Sequence, residues 1–228
     1  MGKGQQKIIY DISAGGLVGT MTSYEASGHR SRSEVRLGPI SNTSGSDGKT
    51  TWEQDGTTGS VRILRGEELT ENRADAGFSL ENVDPLKQGS KGSGGTMRLR
   101  PALDPATGCY VLDVQPKGGT QQTIYLDPNT YLIRKSVVSR GGIATTISIL
   151  TYKPVFGTQT PTHLQIQPAG VPLTVDAALR QATRQATFDA ALFTPPAPAK
   201  DWQFLTPGAS TEVSFPFTTE DNEVVVYA

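Results

Sequence analysis

One cysteine in 228 residues, Cys109, excludes an internal disulfide and a cysteine-based structural zinc site, so the fold must rest on its apolar core. Histidine is nearly as scarce. His29 and His163 stand far apart, without a carboxylate or second histidine at ligand spacing, and read as surface residues rather than metal ligands. No run reaches the roughly 18 apolar residues of a membrane-spanning helix, and the start, MGKGQQKIIYD, lacks the apolar stretch of a signal peptide. Neither sign of charge is in excess. With Lys plus Arg at 21 against Asp plus Glu at 22, the net charge of -1 supplies no general attraction for phosphate backbones, which argues against nucleic acid as a partner.

Catalytic apparatus is missing too. No serine sits in a G-x-S-x-G elbow, and Cys109 stands at the entry to a strand, with no helix N-terminus to lower its pKa. The stretch SGSDGKT has the Gly and Lys of a phosphate-binding loop, but Thr43 stands where its first Gly is required. The following TTWEQ is strand rather than helix, so Asp47 and Gly48 read as a hairpin turn. Glu67, Glu68 and Glu71, or Arg30, Arg32 and Arg36, could be imagined as paired acids or an anion ladder; charges so placed are ordinarily the wet faces of surface elements. The sequence points to no enzyme, no metal and no cofactor.

What is present is glycine and a β pattern. The 25 glycines, added to a hydrophobic fraction of 36%, restore an ordinary globular composition. Residues 110–154 write YVLDVQ, QTIYLD, YLIRKSVVS and IATTISILTYKP, separated by little more than PKGGT, PNT and RGG. Connections this short join antiparallel neighbours, since a parallel crossover needs a dozen or more residues. KIIYDI and LVGTMTSYEA read as a hairpin about Gly15 and Gly16, which supply the positive φ of a tight turn. In RSRSEVRL a period of two puts Arg30, Arg32, Glu34 and Arg36 on one face and Val35 and Leu37 on the other. SNTSGSDGKTTWEQDGTTGSVRIL then yields two short strands, TTWEQ and SVRIL, joined at DGTTG.

GEELTENRADAG, acidic early and ending in Gly77, reads as one short helix, and LKQGSKGSGGT after it as a connection inside the domain. MRLRPAL turns at DPATG into the meander, and PTHLQIQ follows it as a further strand. PLTVDAALRQATRQATF carries conflicting signals. Its Ala, Leu, Arg and Gln favour a helix, whereas the alternation of Leu173, Val175 and Ala177 behind PAGVP favours a hairpin-linked strand. TPPAPAK is a stiff Pro-rich linker, which sets one domain at residues 7–198 and a linker with β tail at 199–228, where VSFPF and EVVVYA are β-like.

The succession WEQDG, YVLDVQPKGGTQQTIYLDPNTYLIRKSVVSRGG, TISILTYKPVFGTQTPTHLQI and ATFDAALFTPP resembles the bacterial outer-membrane lipoprotein-sorting proteins of the LolA and LolB type, over residues 7–198. Its markers are the DGKTTW turn and strand, the pair ending in LDPNTYL, the T-Y-x-P step with Pro161 soon after, and the closing D-x-x-L-F-x-x-P. The resemblance implies a mainly β fold, in which a strongly curved antiparallel sheet forms an incomplete barrel with one or a few short helices over its concave face. No long helix precedes Ile8, so GEELTENRADAG is the candidate lid. It also implies that LTVDAALRQATRQAT is a strand.

In function, the resemblance implies non-enzymatic binding of lipid or lipoprotein acyl chains in an apolar hollow, in the periplasm or cell envelope. Trp52, Phe78, Leu80, Ile124, Leu126, Ile147 and Ile149 are the expected lining, taken from alternating strand positions and the lid. The tail VSFPFTTEDNEVVVYA resembles the first strands of a retropepsin-like aspartic protease domain. That gives the alternative, a structural or substrate-presenting domain of a larger bacterial protein with such a protease domain downstream. No Asp-Thr-Gly or Asp-Ser-Gly triplet occurs in the chain itself.

Overall fold

Gly15 and Gly16 both take positive φ, 56° and 81°, and the tight turn they make is the first of a series that lays the chain out as successive antiparallel strands. The computed structural model describes residues 5–77, 95–185, 187–197, 217–220 and 223–226. Six strands come first: β1 (Gln5–Ala14), β2 (Leu17–Ala26), β3 (Arg30–Leu37), β4 (Ile40–Asp47), β5 (Thr51–Asp55) and β6 (Val61–Ile63). Helix α1 (Gly66–Gly77) follows. Seven more strands complete the sheet: β7 (Gly95–Leu99), β8 (Tyr110–Pro116), β9 (Gln121–Leu126), β10 (Ile133–Arg140), β11 (Ile143–Val155), β12 (Thr158–Pro168) and β13 (Val175–Gln185). A 3-10 helix, Ala190–Phe193, comes after it. The chain divides into two compact units, Met1–Pro198 and Ala199–Ala228; the second holds a hairpin of β14 (Phe217–Glu220) and β15 (Glu223–Val226).

The thirteen strands form one antiparallel sheet in the order β6-β5-β4-β3-β2-β1-β13-β12-β11-β10-β9-β8-β7, not closed into a barrel. Two meanders are thus joined at a single seam, where β13 returns to pair with β1, Ile12 opposite Ala177 and Tyr10 opposite Leu179. This seam decides the ambiguous segment. Residues 176–185 pair with β1, and residues 175–178 pair with β12 on the other side; this backbone pairing outweighs the helix propensity of the segment's Ala, Leu, Arg and Gln.

Residues 40–47, outside the strands expected from the sequence, are strand β4, paired to β3 along its whole length. Its Asn, Gly and Asp have poor strand propensity, and position between β3 and β5 overrides it. The turn after it is as expected: Asp47 Oδ1 accepts the N–H groups of Lys49 and Thr50 at 2.8 and 2.7 Å, and Gly48 sits at φ 92°.

Strand register sorts side chains into two faces, since residues opposite each other in an antiparallel pair project to the same side. One face carries Ile8, Tyr10 and Ile12 of β1, Met21 of β2, and Val35 and Leu37 of β3. Across the seam it continues through Ala177, Leu164, Ile166, Ile147 and Ile149 to Ile124, Leu112 and Val114. Both apolar clusters lie here, one around Tyr10, Ile12, Leu164 and Ala177, the other around Val114 and Ile124. The opposite face carries Arg32 and Glu34, Asp11 and Arg180, and Arg100 with Asp113, each in an ion pair. The arginine-rich and apolar sides of RSRSEVRL fall as the period of two requires.

Candidate functional site

Helix α1 shows which face is concave. Arg62 of β6 and Arg140 of β10 both project from the apolar face, by register with Glu53 on one side and with Ser136 and Val138 on the other. Their strands are nine positions apart in the sheet order, roughly 43 Å on a flat sheet. Yet Arg62 Nη1 donates to Glu68 at 2.7 Å and Arg140 Nη2 to Asp75 at 2.9 Å, two acids on one helix only about 18 Å long. The sheet therefore curls around its apolar face, and α1 lies across the opening.

The lid is fastened by polar contacts. Thr120, in the turn between β8 and β9, donates its N–H and its hydroxyl to Asp75 at 2.7 and 2.6 Å, and Arg73 donates to the carbonyl of Lys49 at 2.6 Å. Glu53 and Glu68 together hold the Arg62 guanidinium in its charged form, with Glu68 the larger influence. Glu68 and Glu71 thus face the sheet, not solvent alone as their spacing suggested. A polar cavity of about 160 Å³ lies under the helix between Glu53, Arg62, Glu71, Asn72 and Arg140. Among the described residues, neither apolar cluster takes in an α1 side chain.

The hollow beneath is lined by aliphatic side chains that are only partly covered: Ile8, Met21, Val35, Leu37, Ile147, Ile166, Val175 and Leu179 pack against the first cluster and stay half-buried. Two tyrosines from this face brace the curvature. Tyr10 donates its hydroxyl to the carbonyl of Pro161 at 2.8 Å, and Tyr152 donates to that of Ile133 at 2.7 Å. Burial pushes the Tyr152 hydroxyl up to about 12 and raises Tyr10 as well. Register shifts beside Thr151 bend β11 and β12 here, so the T-Y-x-P step marks a bend in the sheet.

Four expected lining residues share the concave face. Ile124 is buried at 1% exposure, Leu126 packs beside it, Ile147 joins the first cluster, and Ile149 stands opposite Leu164. Phe78 and Leu80 lie outside the described residues. Trp52 is not with the others. Its cross-strand partners Gly45, Arg32, Tyr24 and Lys7 put it on the convex face, where its indole N–H donates to the Phe193 carbonyl at 2.9 Å. Arg32 lies 5.5 Å above that ring and donates to the Leu192 carbonyl at 3.0 Å, while Tyr24, Phe188 and Phe193 stack edge-on beside it. Trp52 and Arg32 anchor the closing D-x-x-L-F segment, whose Asp189 caps the 3-10 helix.

Two further local sites were illegible in part. Asp127 of LDPNTYL accepts the N–H groups of Asn129 and Thr130 and both nitrogens of an Arg134 fork. The Thr130 N–H first, then Arg134, then the Asn129 N–H hold its carboxyl down at about 2. His163 has a carboxylate after all: Asp176 of the neighbouring strand lies 2.9 Å away on the convex face, a partner that sequence spacing could not show.

No protein-family profile and no curated protein matches the sequence. Solved structures do. A putative outer membrane lipoprotein-sorting protein domain from Vibrio parahaemolyticus superposes with a TM-score of 0.54 at 13% identity, covering 84% of this chain and 90% of that one. A DUF1329 family protein from Desulfovibrio piger gives 0.53 at 14%, with the same coverage. A LolA superfamily protein from Nitrosomonas europaea gives 0.53 at 9%, covering 85% and 91%. The fold is that of a LolA-like curved sheet. These likenesses lend no support to an aspartic protease domain in the tail.

Proposed function

We propose that this protein is a non-enzymatic carrier that holds an acyl chain of a lipid or lipoprotein in the hollow of its sheet, in the bacterial cell envelope. One observation carries this reading. An apolar concave face runs through both meanders, and the element spanning it is a helix fastened by charges that, among the described residues, adds no side chain to either apolar cluster. Half-buried aliphatic groups in a hollow lose water only when something apolar lies on them, at about 25 cal/mol per Å² covered. The likeness of the fold to lipoprotein-sorting domains points the same way.

Ile124, Leu126, Ile147 and Ile149 line the hollow in this reading, and Trp52 supports the sheet from behind. Organic extraction of the purified protein followed by mass spectrometry, with displacement of a fluorescent fatty acid, tests it. Co-purified acyl lipid and saturable displacement are the expected results. A protein free of lipid that also fails to bind the probe overturns the reading.

A further inference from the structure

Three neighbouring turns at one end of the sheet are apolar and uncharged. Residues 12–19, 37–46 and 168–175 contain no Asp, Glu, Lys or Arg. They carry Val18 at 74% exposure, Ile40 at 56% and Val171 at 45%, with Leu17 and Leu173 also exposed. The turns touch one another. Leu173 lies against Gly15, 3.1 Å from the point a Cβ there would occupy, and Leu17 lies against Gly38 at 3.0 Å. In most surface turns polar residues dominate, so five aliphatic side chains on three adjoining tips call for a partner.

The rim is also continuous with the hollow. Ile40 pairs directly with Leu37, and Leu173 precedes Val175, and Leu37 and Val175 both belong to the concave apolar cluster. An acyl chain moving along the concave face toward this end meets no charged residue in those three turns. An uncharged surface of adjoining turns that continues the hollow suits a hydrocarbon boundary, whereas a stable protein interface needs a broad matched patch.

We propose that this rim, Leu17 and Val18 with Ile40, Val171 and Leu173, docks on a lipid bilayer and opens the hollow toward it. The proposal deepens the acyl-binding reading and rests on it for the cargo, but the docking is measured separately. Insertion here is apolar, so it persists at high salt, unlike attraction of basic residues to anionic lipid.

Co-sedimentation of the whole chain with phosphatidylethanolamine and phosphatidylglycerol vesicles, at low and high salt, is the test. The protein is expected to partition at both, and the double change Val18→Glu with Ile40→Glu to weaken partition by about tenfold or more, from the apolar burial lost. Fatty-acid displacement in solution should be unchanged in that variant. Should the variant not fold, Val18→Trp supplies the readout: its emission shifts to the blue with vesicles if the tip inserts. No partition, partition lost at high salt, partition indifferent to the Glu changes, or an unshifted Val18→Trp spectrum each overturns the proposal. So does concentration-dependent self-association abolished by the Glu changes, which would make a second copy the occupant. Loss of fatty-acid binding with vesicle partition intact would instead sink the carrier reading alone.

Discussion

Arg62 and Arg140 stand nine strands apart in the sheet and end on the same helix, Arg62 at Glu68 and Arg140 at Asp75. Closing the two meanders over the hollow depends on these contacts and on Thr120 and Arg73. The arginine side chains are more than half exposed, so solvent and salt screen each pair and leave it little weight in overall stability. Arg140→Ala should therefore leave the melting temperature nearly unchanged while hydrogen exchange in α1 quickens severalfold. Unchanged exchange would mean that the helix is held by something else.

Gly45 faces Trp52 across β4 and β5, and a Cβ on it would lie 2.6 Å from the indole Cζ2. Gly45→Val should destabilise the fold by about 1–3 kcal/mol through overpacking. Trp52→Phe, which strands the Phe193 carbonyl, should cost a similar ~1–3 kcal/mol. Because both sit on the convex face, fatty-acid affinity in the folded fraction should hold, as read by chemical denaturation beside probe titration.

Ile149 projects into the hollow and is half-buried. Ile149→Trp should fill part of the space a chain would occupy, weakening probe binding about tenfold with only a modest loss of stability. Equal affinity in the variant and the parent would place the ligand elsewhere.

Asp127 titrates at about 2 in the folded chain, against an ordinary carboxyl value of 3.8. A depressed folded value means that its stabilisation is complete above the unfolded value and fades as pH falls through the folded one. Asp127→Asn should therefore melt below the parent at neutral pH, with the gap closing between about pH 4 and pH 2. A gap independent of pH would assign the loss to hydrogen bonding alone.

Much of the fold was legible because its causes are local. The helix at residues 66–77, the glycine turns and most strands follow from period and turn chemistry. Strand β4 was hidden by its Asn, Gly and Asp, which the flanking strands hold extended. Trp52 looked like lining because a large apolar residue on a strand reads as core on either face; its hydrogen bond to Phe193, 141 residues away, is invisible to spacing. Glu71 looked solvated for the same reason, since its partner Thr120 lies 49 residues further on, whereas Glu68 pairs with Arg62 only 6 residues back, on the strand just before the helix.

By itself the sequence determined an antiparallel, mainly β chain with one short acidic helix, because side-chain alternation and backbone turn preference act over a few residues. Tertiary structure decided which face is concave, since that depends on where β13 meets β1 and on twist accumulated across thirteen strands. It also decided that the apolar face is the one under the helix. Only a closed path from β6 through α1 to β10 distinguishes the two sides of such a sheet.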